Sequence, residues 1–364
     1  LDSVPIIHEI LDALGIKTLQ LSGYEADDII GTVAKQAEKE GLKTYMVTPD
    51  KDFAQLVSEN IFLYKPARFG GGIEIWGVDE FKNKFLITLR SLVADKKIKQ
   101  SKIGLVGGIS PGFDNMIVDN KKIKKNIGST IEETTIKELI SLAKSFDQSL
   151  IDQEIKKIKN AASSISVSDE ESFNKVTRVY FALKKMRHEN NWDSMAVQCW
   201  SQFQELYGIA PCMAYGWMGS EDGIAVSCEG DVQGSLSMLL LNYISSNDQS
   251  STLLDLATFD TKADAVLMWH CGVSPRHFAN EDGIKWVDHS TLGRKTDKKY
   301  GVAGDQVFKA QKSTTTYLGN NAERILIINS EIFEHNNKGF DGTRGWFKET
   351  KLNLSLIHIS EPTR

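Results

Sequence analysis

Two short acidic motifs constrain the fold of this chain more than any other feature of its sequence. The first, GYEADD at 23–28, opens a helical pattern, and the second, CEGDV at 228–232, lies between an apolar strand pattern and a helical one. In α/β folds, the loops at the carboxyl ends of parallel strands carry the functional side chains. The character of the sequence changes between the motifs, near Lys84–Leu86. We therefore expect two folding segments joined at that point.

The net charge of the chain is concentrated in the first of these segments. Residues 1–85 contain 9 basic and 14 acidic residues, whereas residues 86–364 contain 34 of each, so the net charge of −5 lies in the first quarter. A negative segment is a poor electrostatic match for nucleic acid by itself. It suits a site that recruits divalent cations, which can then bridge to phosphate.

The composition is typical of a cytoplasmic globular protein. The chain has 364 residues, of which 41% are hydrophobic, and this is enough for two cores. No apolar run approaches about 18 residues and no signal peptide opens the chain, so we expect no membrane partner. All four cysteines follow the junction and none has CxxC spacing, which favours buried thiols over a metal site or a disulfide.

The first segment has the alternating pattern of an α/β fold. Apolar periodicity predicts helices over 4–14 and 24–40, each followed by a glycine. Short apolar runs predict strands, and in a sheet of parallel strands they would be buried. The predicted strands cover 17–21, 43–48 and 61–64.

Five acidic residues of this segment fall at predicted strand and helix ends. They are Glu25, Asp27 and Asp28 in the first turn of a helix, and Asp50 and Asp52 after a strand. A helix N-terminus favours carboxylates, which accounts for one or two of them. Five carboxylates on adjacent sheet edges repel one another and need a counter-charge. Two hard cations with oxygen ligands, as in two-metal phosphodiester hydrolysis, would supply it.

Three stretches of this segment carry a specific resemblance. GYEADDIIGTVAKQAEKEG, YMVTPDKDFAQLV and YKPARFGGGIEIWG resemble the 5′-nuclease domain of bacterial DNA polymerase I, over residues 1–84. The resemblance implies a partial parallel sheet of the PIN/resolvase-like type, with DNA as the partner and Mg²⁺ or Mn²⁺ as the cofactor. It also implies that the five acids above bind metal. The acids that this family takes from an earlier strand and from a later Gly-Asp-x-x-Asp-Asn motif have no counterpart here.

The second segment predicts an α/β layer over 86–250 and a β-rich module over 251–353. The layer begins with a helix and a strand that ends in GLVGG, and its helices and strands then alternate. The helices are expected over 119–126, 135–146, 150–163, 169–189, 211–218 and 232–244, and the strands over 194–200 and 224–228. Strands of the β-rich module are expected over 252–260, 264–270, 284–288, 302–317 and 323–334.

Glu229, Asp231 and His270 are the candidate site residues of this segment. Asp231 is placed to cap the following helix, which is a structural role. Glu229 has no such role, and His270 ends a predicted buried strand, where most histidines are structural. Two carboxylates and an imidazole are nevertheless a plausible ligand set for a divalent metal.

Several separated stretches of the second segment also carry a resemblance. KIGLVGGISPGFDNMIVD, CWSQFQELYGIAPCMAYGWM, EDGIAVSCEGDVQGSLSMLLL and AVLMWHCGVSP resemble the L-fucose/L-arabinose isomerase superfamily, in its fucose-isomerase-like branch. The resemblance implies a homo-oligomeric enzyme that uses Mn²⁺ to interconvert an aldose and a ketose through an enediol. It implies that Glu229 and Asp231 bind the metal and take part in catalysis, and that His270 lines the substrate. The upstream catalytic glutamate of this family has no counterpart near Cys212–Met213.

The last eleven residues, LSLIHISEPTR at 354–364, resemble a translated sequencing adapter rather than a protein family. We therefore interpret the sequence as a truncated chimera of two parents and keep three hypotheses. The chain is a sugar isomerase, a 5′-3′ exonuclease or flap nuclease fragment, or an inactive fusion. The third is favoured for the chain as written, because each segment lacks residues that its parent family uses.

Overall fold

The chain is an α/β protein in two compact units, Leu1–Leu92 and Val93–Arg364. The computed structural model describes residues 3–66, 73–245, 250–293 and 297–350, and the backbone of 357–358. The adapter-like stretch 354–364 lies outside the described residues, except for that short backbone piece. The predicted change near Lys84–Leu86 falls inside one continuous helix, Val78–Gln100.

Unit 1 is built around a three-stranded sheet. Strands β1 and β2 pair in parallel, and β3 pairs antiparallel with β2. The helices are α1 (Val4–Ala13), α2 (Ala26–Lys39) and the part of α3 (Val78–Gln100) before Val93. The strands are β1 (Thr44–Val47), β2 (Ile61–Lys65) and β3 (Glu74–Trp76), and a 3-10 helix covers Asp52–Leu56. The core is small. Its buried side chains are Ala34, Met46, Phe53, Ala54, Ile61, Leu63 and Trp76.

The predicted strand over 17–21 is wrong, because this stretch is irregular and pairs with no described strand. A short strand gains its hydrogen bonds only from a neighbour, and Leu19 and Leu21 are each 57% exposed here. Helix α1 has no buried residue, although its sequence is apolar on one side. The apolar surface of unit 1 is therefore larger than its own core can cover.

The first half of unit 2 is a four-stranded parallel sheet in the order β5-β4-β7-β8. Its strands are β4 (Lys102–Val106), β5 (Thr130–Thr134), β7 (Ser194–Val197) and β8 (Val226–Ser227). Its helices are α4 (Asn120–Ile127), α5 (Ile136–Lys144), α6 (Gln148–Asn160), α7 (Glu171–Asn190), α8 (Gln202–Leu206), α9 (Cys212–Glu221) and α10 (Val232–Ile244), and β6 (Ser164–Ser166) joins the second sheet. Every residue of β7 is buried, as expected for a central parallel strand.

The second half of unit 2 is a mostly antiparallel sheet of nine strands, β6 included. The other strands are β9 (Asp255–Asp260), β10 (Ala265–His270), β11 (Lys285–Val287), β12 (Ala303–Val307), β13 (Gln311–Gly319), β14 (Arg324–Phe333), β15 (Thr343–Glu349) and β16 (Ile357–His358). Strand β10 lies between β9 and β15 and pairs antiparallel with both. The start of β9 and the end of β10 therefore meet at one edge of this sheet.

Most helices and strands of unit 2 lie where the sequence predicts them, and the differences are local. The β-rich stretch 302–317 contains β12 and most of β13, and β5, β6 and β15 were not predicted. Strand β5, TIEET, carries two glutamates and resembles a solvated loop, but its pairing with β4 forms the edge of the parallel sheet.

Candidate functional site

The CEGDV motif forms a tight loop between β8 and α10. Glu229 has φ 64° and Gly230 has φ 77°, so two successive residues occupy the left-handed region. Glycine is required at the second position, because a Cβ on Gly230 would lie 2.2 Å from the carbonyl oxygen of Gly108. The backbone N–H of Ser110 donates to the Glu229 carbonyl at 2.9 Å, which ties the loop to the segment that follows strand β4. A non-glycine residue in this conformation is uncommon and often functional.

The Glu229 side chain is half-buried, and its Oε2 atom is buried without a hydrogen-bond partner among the described residues. Burial raises the pKa of this carboxyl to about 7, opposed by nearby His270 and assisted by Asp255. A carboxyl with a pKa near neutrality can both accept and release a proton at physiological pH.

His270 ends β10 and is 1% exposed. Its Nδ1 atom lies 2.9 Å from the backbone nitrogen of Cys271 and 3.1 Å from the Cys271 Sγ atom. Its Nε2 atom is buried, has no hydrogen-bond partner in the described part of the chain, and lies 3.9 Å from the Oδ2 atom of Asp255. Burial opposes protonation, but Cys271, Asp255 and Glu229 outweigh it and raise the pKa of the imidazole.

Glu229, Asp255 and His270 together form a candidate metal centre. One ligand atom from each lies within 4.8 Å of the other two. The two orphaned buried atoms, one on a carboxylate and one on an imidazole, are what an absent cation would leave. Asp255 is 51% exposed at its side chain, so the centre opens to solvent on that side. The donor set of two carboxylates and one imidazole fits a hard or borderline divalent ion.

The sequence did not identify Asp255. This residue begins β9, and the register pairs it with Trp269, next to His270. An aspartate at the start of an edge strand has no distinguishing local pattern. Only the pairing of β9 with β10 brings it to the centre.

Asp231 occupies the N-cap position of α10. Its Oδ1 atom accepts the backbone N–H of Gly234 at 2.9 Å, and the side chain is buried. Burial raises the pKa of this carboxyl, and the backbone hydrogen bonds of the cap oppose the shift. Asp231 is not in the group whose ligand atoms lie within 4.8 Å of one another, so its role as a metal ligand stays a prediction.

The acids near the expected upstream glutamate are engaged elsewhere. Met213 is fully buried in the apolar core of the unit. Glu221 accepts from the Arg276 guanidinium at 2.7 Å, and Asp222 accepts from the Tyr180 hydroxyl at 2.8 Å and from Lys184. Glu221 and Asp222 therefore have structural partners.

In unit 1, four of the five predicted acids line one open cavity of about 620 Å³. They are Asp27, Asp28, Asp50 and Asp52. Glu25 is not among the lining residues; it caps α2 in a capping box with Asp28, whose carboxylate accepts the Glu25 N–H at 3.1 Å. Lys35 and Lys39 also line the cavity and offset part of its negative charge. Among the described residues, the three groups whose ligand atoms lie within 4.8 Å of one another are all in unit 2. The acids of unit 1 therefore line the same cavity, but no three of them place their oxygens that close together.

The described helices include none that is long and apolar enough to cross a membrane.

The chain is similar to two classes of protein, the resolvase-like nuclease domains in its first part and the sugar isomerases in most of the remainder. Residues 1–86 match the family model described as the 5'-3' exonuclease, N-terminal resolvase-like domain. The 5'-3' exonuclease of Aquifex aeolicus is 48% identical over 63 residues, covering 17% of this chain and 22% of the relative. The thermostable DNA polymerase I of Thermus aquaticus is 46% identical over 61 residues, covering 17% of this chain and 7% of the relative.

Most of the remaining chain is similar to sulfoquinovose isomerases. The sulfoquinovose isomerase of Priestia aryabhattai is 26% identical over 241 residues, covering 66% of this chain and 52% of the relative. The chain thus spans about half the length of the curated isomerases that it matches. It is a chimera of sequences of both kinds, as its sequence predicts.

Proposed function

We propose that unit 2 is the catalytic body of a divalent-metal-dependent isomerase that interconverts an aldose and a ketose. The observation that carries this proposal is the cluster of Glu229, Asp255 and His270 with its two orphaned buried atoms. The similarity to sulfoquinovose isomerases supports the reaction class. The donor set supports a metal-assisted mechanism.

The three side chains of the cluster would hold the ion, with Mn²⁺ as the expected metal. When bound, such an ion polarises the carbonyl and the neighbouring hydroxyl of an open-chain sugar. One oxygen of Glu229 would bind the ion together with Asp255 and His270. The same carboxylate would move a proton between C1 and C2 of the sugar, which passes through an enediol. The left-handed backbone of the loop fixes the direction of this carboxylate.

Asp231 would keep this loop in place. By capping α10 it fixes the backbone that carries Glu229 two residues earlier. Asp255 leaves the centre open to solvent, and this is the side from which a sugar would enter. We further propose a homo-oligomer in the cytoplasm, in keeping with the family that the sequence resembles.

The test is ketose formation by the 364-residue chain with Mn²⁺, measured on sulfoquinovose, L-fucose and L-arabinose. In contrast to the inactive fusion that the sequence favours, the proposal expects turnover of at least one sugar, with loss of turnover in Asp255→Asn and no change in Asp282→Asn. Asp282 is an exposed carboxylate of the same unit and a matched control. Turnover that persists in Asp255→Asn would contradict the proposed centre.

A second candidate function, cleavage of branched DNA, is favoured by the acidic cavity of unit 1 and by the nuclease family match. Mg²⁺ or Mn²⁺ bound by Asp27, Asp28, Asp50 and Asp52 would bridge to the phosphate. Cleavage of a flap substrate that disappears in Asp50→Ala would support this function. Silence in both this assay and the isomerase assay would support the hypothesis of an inactive fusion.

A further inference from the structure

A second cavity, of about 650 Å³, lies within unit 2 and has no part in the isomerase proposal. Residues of β9, β10, β13, β14, β15 and α10 line it. Its volume is in the range of sites that bind small organic molecules. Glu229, Asp255 and His270 are not among its lining residues, so this cavity is distinct from the candidate metal centre.

One face of the large sheet forms an apolar wall of this cavity. Leu326, Ile328 and Ile332 of β14 line it, as do Phe347 of β15 and Phe259 of β9. Side chains two residues apart on a strand share one face of the sheet, so β14 turns a single face toward the cavity. The Phe259 side chain is 63% exposed. Covering this wall with an apolar group would remove apolar surface from water and is therefore favourable.

Ser330 is the one polar side chain among the β14 residues that line the wall. It is 5% exposed, and its Oγ atom is buried without a hydrogen-bond partner among the described residues. A buried hydroxyl without a partner destabilises a fold unless another group satisfies it. Rotation about its Cα–Cβ bond suffices to turn this hydroxyl to a new partner. Ser330 therefore indicates a ligand that carries a hydrogen-bonding group.

Ser330 has a polar neighbour on each adjacent strand. The register pairs it with Ser313 of β13 and with Glu349 of β15, and both of these also line the cavity. Directly paired residues have Cβ atoms about 5 Å apart, so one small group of a ligand can reach all three side chains. The Glu349 carboxylate has no hydrogen bond or ion pair in the described part of the chain.

The charge of the lining determines which ligands the cavity favours. Its described residues include three carboxylates and no lysine, arginine or histidine. The three are Asp260, Asp264 and Glu349. Asp260 already contacts His335, whose Nε2 atom lies 3.1 Å from its Oδ2 atom, so the remaining negative charge belongs to Asp264 and Glu349. A lining of one sign favours a ligand of the opposite sign, which is a cation here.

We propose that this cavity binds a small organic cation in which a primary ammonium group is attached to an apolar body. The body would pack against the apolar wall. The ammonium would donate hydrogen bonds to the Glu349 carboxylate and to the hydroxyls of Ser330 and Ser313. An ammonium has three donors and no acceptor, so it matches this row of three acceptors. The inference does not depend on the isomerase proposal, because the residues that carry it are not part of the metal centre.

The test is isothermal titration calorimetry of the 364-residue chain at pH 7.5, with a chelator present to exclude metal. Three probes share one apolar body and differ in the head group. They are 4-phenylbutylamine, which is protonated at this pH, 4-phenylbutanol and 4-phenylbutyrate. The amine should bind at one equivalent and about tenfold more tightly than the alcohol, because only the ammonium makes a charged hydrogen bond. The butyrate should bind more weakly than the alcohol, because it would face Glu349 without a counter-charge.

Two variants identify the residues that bind the head group. Glu349→Gln should weaken binding of the amine about tenfold and leave that of the alcohol unchanged. The matched control is Glu331→Gln, since Glu331 is an exposed carboxylate on the opposite face of β14 and does not line the cavity. Ser330→Ala should also weaken binding of the amine. Its unfolding temperature without ligand should not fall, because the variant removes a buried hydroxyl that has no partner.

Four results would overturn the proposal. The amine could fail to bind, the alcohol could bind as tightly as the amine, or the amine affinity could be unchanged in Glu349→Gln. The fourth is an amine affinity that falls as the protein concentration is raised, which is expected if a second copy of the chain covers the cavity. Glu349 and Glu331 are both exposed, so their variants should fold and keep the test decisive.

Discussion

At the scale of single residues, the conformation of Glu229 separates a functional carboxylate from a structural one. Asp231, two residues later, has a clear structural role as a helix cap. Glu229 has an uncommon left-handed backbone conformation, and its buried oxygen has no hydrogen-bond partner among the described residues. Backbone strain and desolvation of this oxygen both destabilise the fold, and no local contact compensates for them. Such destabilisation is expected where a side chain binds a ligand.

We predict that Glu229 lowers the stability of the metal-free chain as the pH rises. Burial raises its pKa from 4.5 to about 7, so the folded state binds the proton more tightly than the unfolded state. The contribution of this protonated carboxyl to the free energy of unfolding is therefore fully present below pH 4.5 and is lost between pH 4.5 and about 7. The Glu229→Gln variant should not show this loss, which amounts to about 3 kcal/mol of unfolding free energy at pH 8.

Urea unfolding with a chelator, from pH 4 to pH 8, measures this difference. The stability of wild type should fall relative to that of Glu229→Gln across this range. Parallel profiles would show that the carboxyl titrates near its ordinary value. Glu205→Gln, a change of the same kind away from the centre, is the control.

We predict that the cap and the charge of Asp231 can be separated. Asp231→Ala removes the acceptor of the Gly234 N–H and should cost about 1 kcal/mol of unfolding free energy. Asp231→Asn keeps an acceptor, so it should cost much less. If Mn²⁺ affinity and turnover both fall equally in the two variants, the carboxylate also contacts the ion. Affinity unchanged in Asp231→Asn would limit this residue to the cap.

At the scale of elements, the loop between β8 and α10 determines where the centre lies. It is held at both ends, by the Ser110 hydrogen bond to Glu229 and by the Asp231 cap. Its middle passes so close to Gly108 that no side chain fits at Gly230. The surrounding structure, rather than hydrogen bonds within the loop, therefore restrains its conformation.

We predict that Gly230→Ala is more damaging than Gly112→Ala. Both glycines have positive φ, 77° and 90°, so both substitutions carry the same kind of backbone strain, about 1 kcal/mol. Only at Gly230 does the added Cβ meet another atom, the Gly108 oxygen at 2.2 Å, whereas Gly112 has open space. Gly230→Ala should therefore lose further stability and weaken Mn²⁺ binding. Urea unfolding and metal titration measure both effects. Equal effects of the two substitutions would show that the backbone of the loop shifts to accommodate the added Cβ.

Elements with a strong local pattern were predictable, and those defined by a partner were not. Helix α10 was predicted at its observed bounds, because an aspartate cap precedes a strongly apolar stretch, SLSMLLL. The stretch 17–21 has a strand-like pattern but no described strand beside it, and β5 has a polar pattern but pairs with β4. Asp255 was missed for the same reason. Its place at the centre arises from long-range pairing, which local periodicity does not encode.

At the scale of the whole molecule, each unit has its own hydrophobic clusters and its own acidic site among the described residues. The largest cluster belongs to unit 2 and includes the four thiols, and the cluster of unit 1 is smaller. The acids of unit 1 line an open cavity without converging, whereas Glu229, Asp255 and His270 place three ligand atoms within 4.8 Å. Preformed ligands bind a cation more tightly, because less ordering is required on binding. Unit 2 should therefore hold the tighter Mn²⁺ site.

The most direct test is Mn²⁺ binding to the 364-residue chain, followed by the electron paramagnetic resonance signal of free Mn²⁺. Wild type, Asp255→Asn and Asp50→Asn are compared at pH 7.5, each purified reduced and free of metal. We predict that the tightest equivalent of Mn²⁺ is lost in Asp255→Asn and kept in Asp50→Asn. Loss in Asp50→Asn with retention in Asp255→Asn, or retention in both, would contradict the assignment of the metal centre to Glu229, Asp255 and His270.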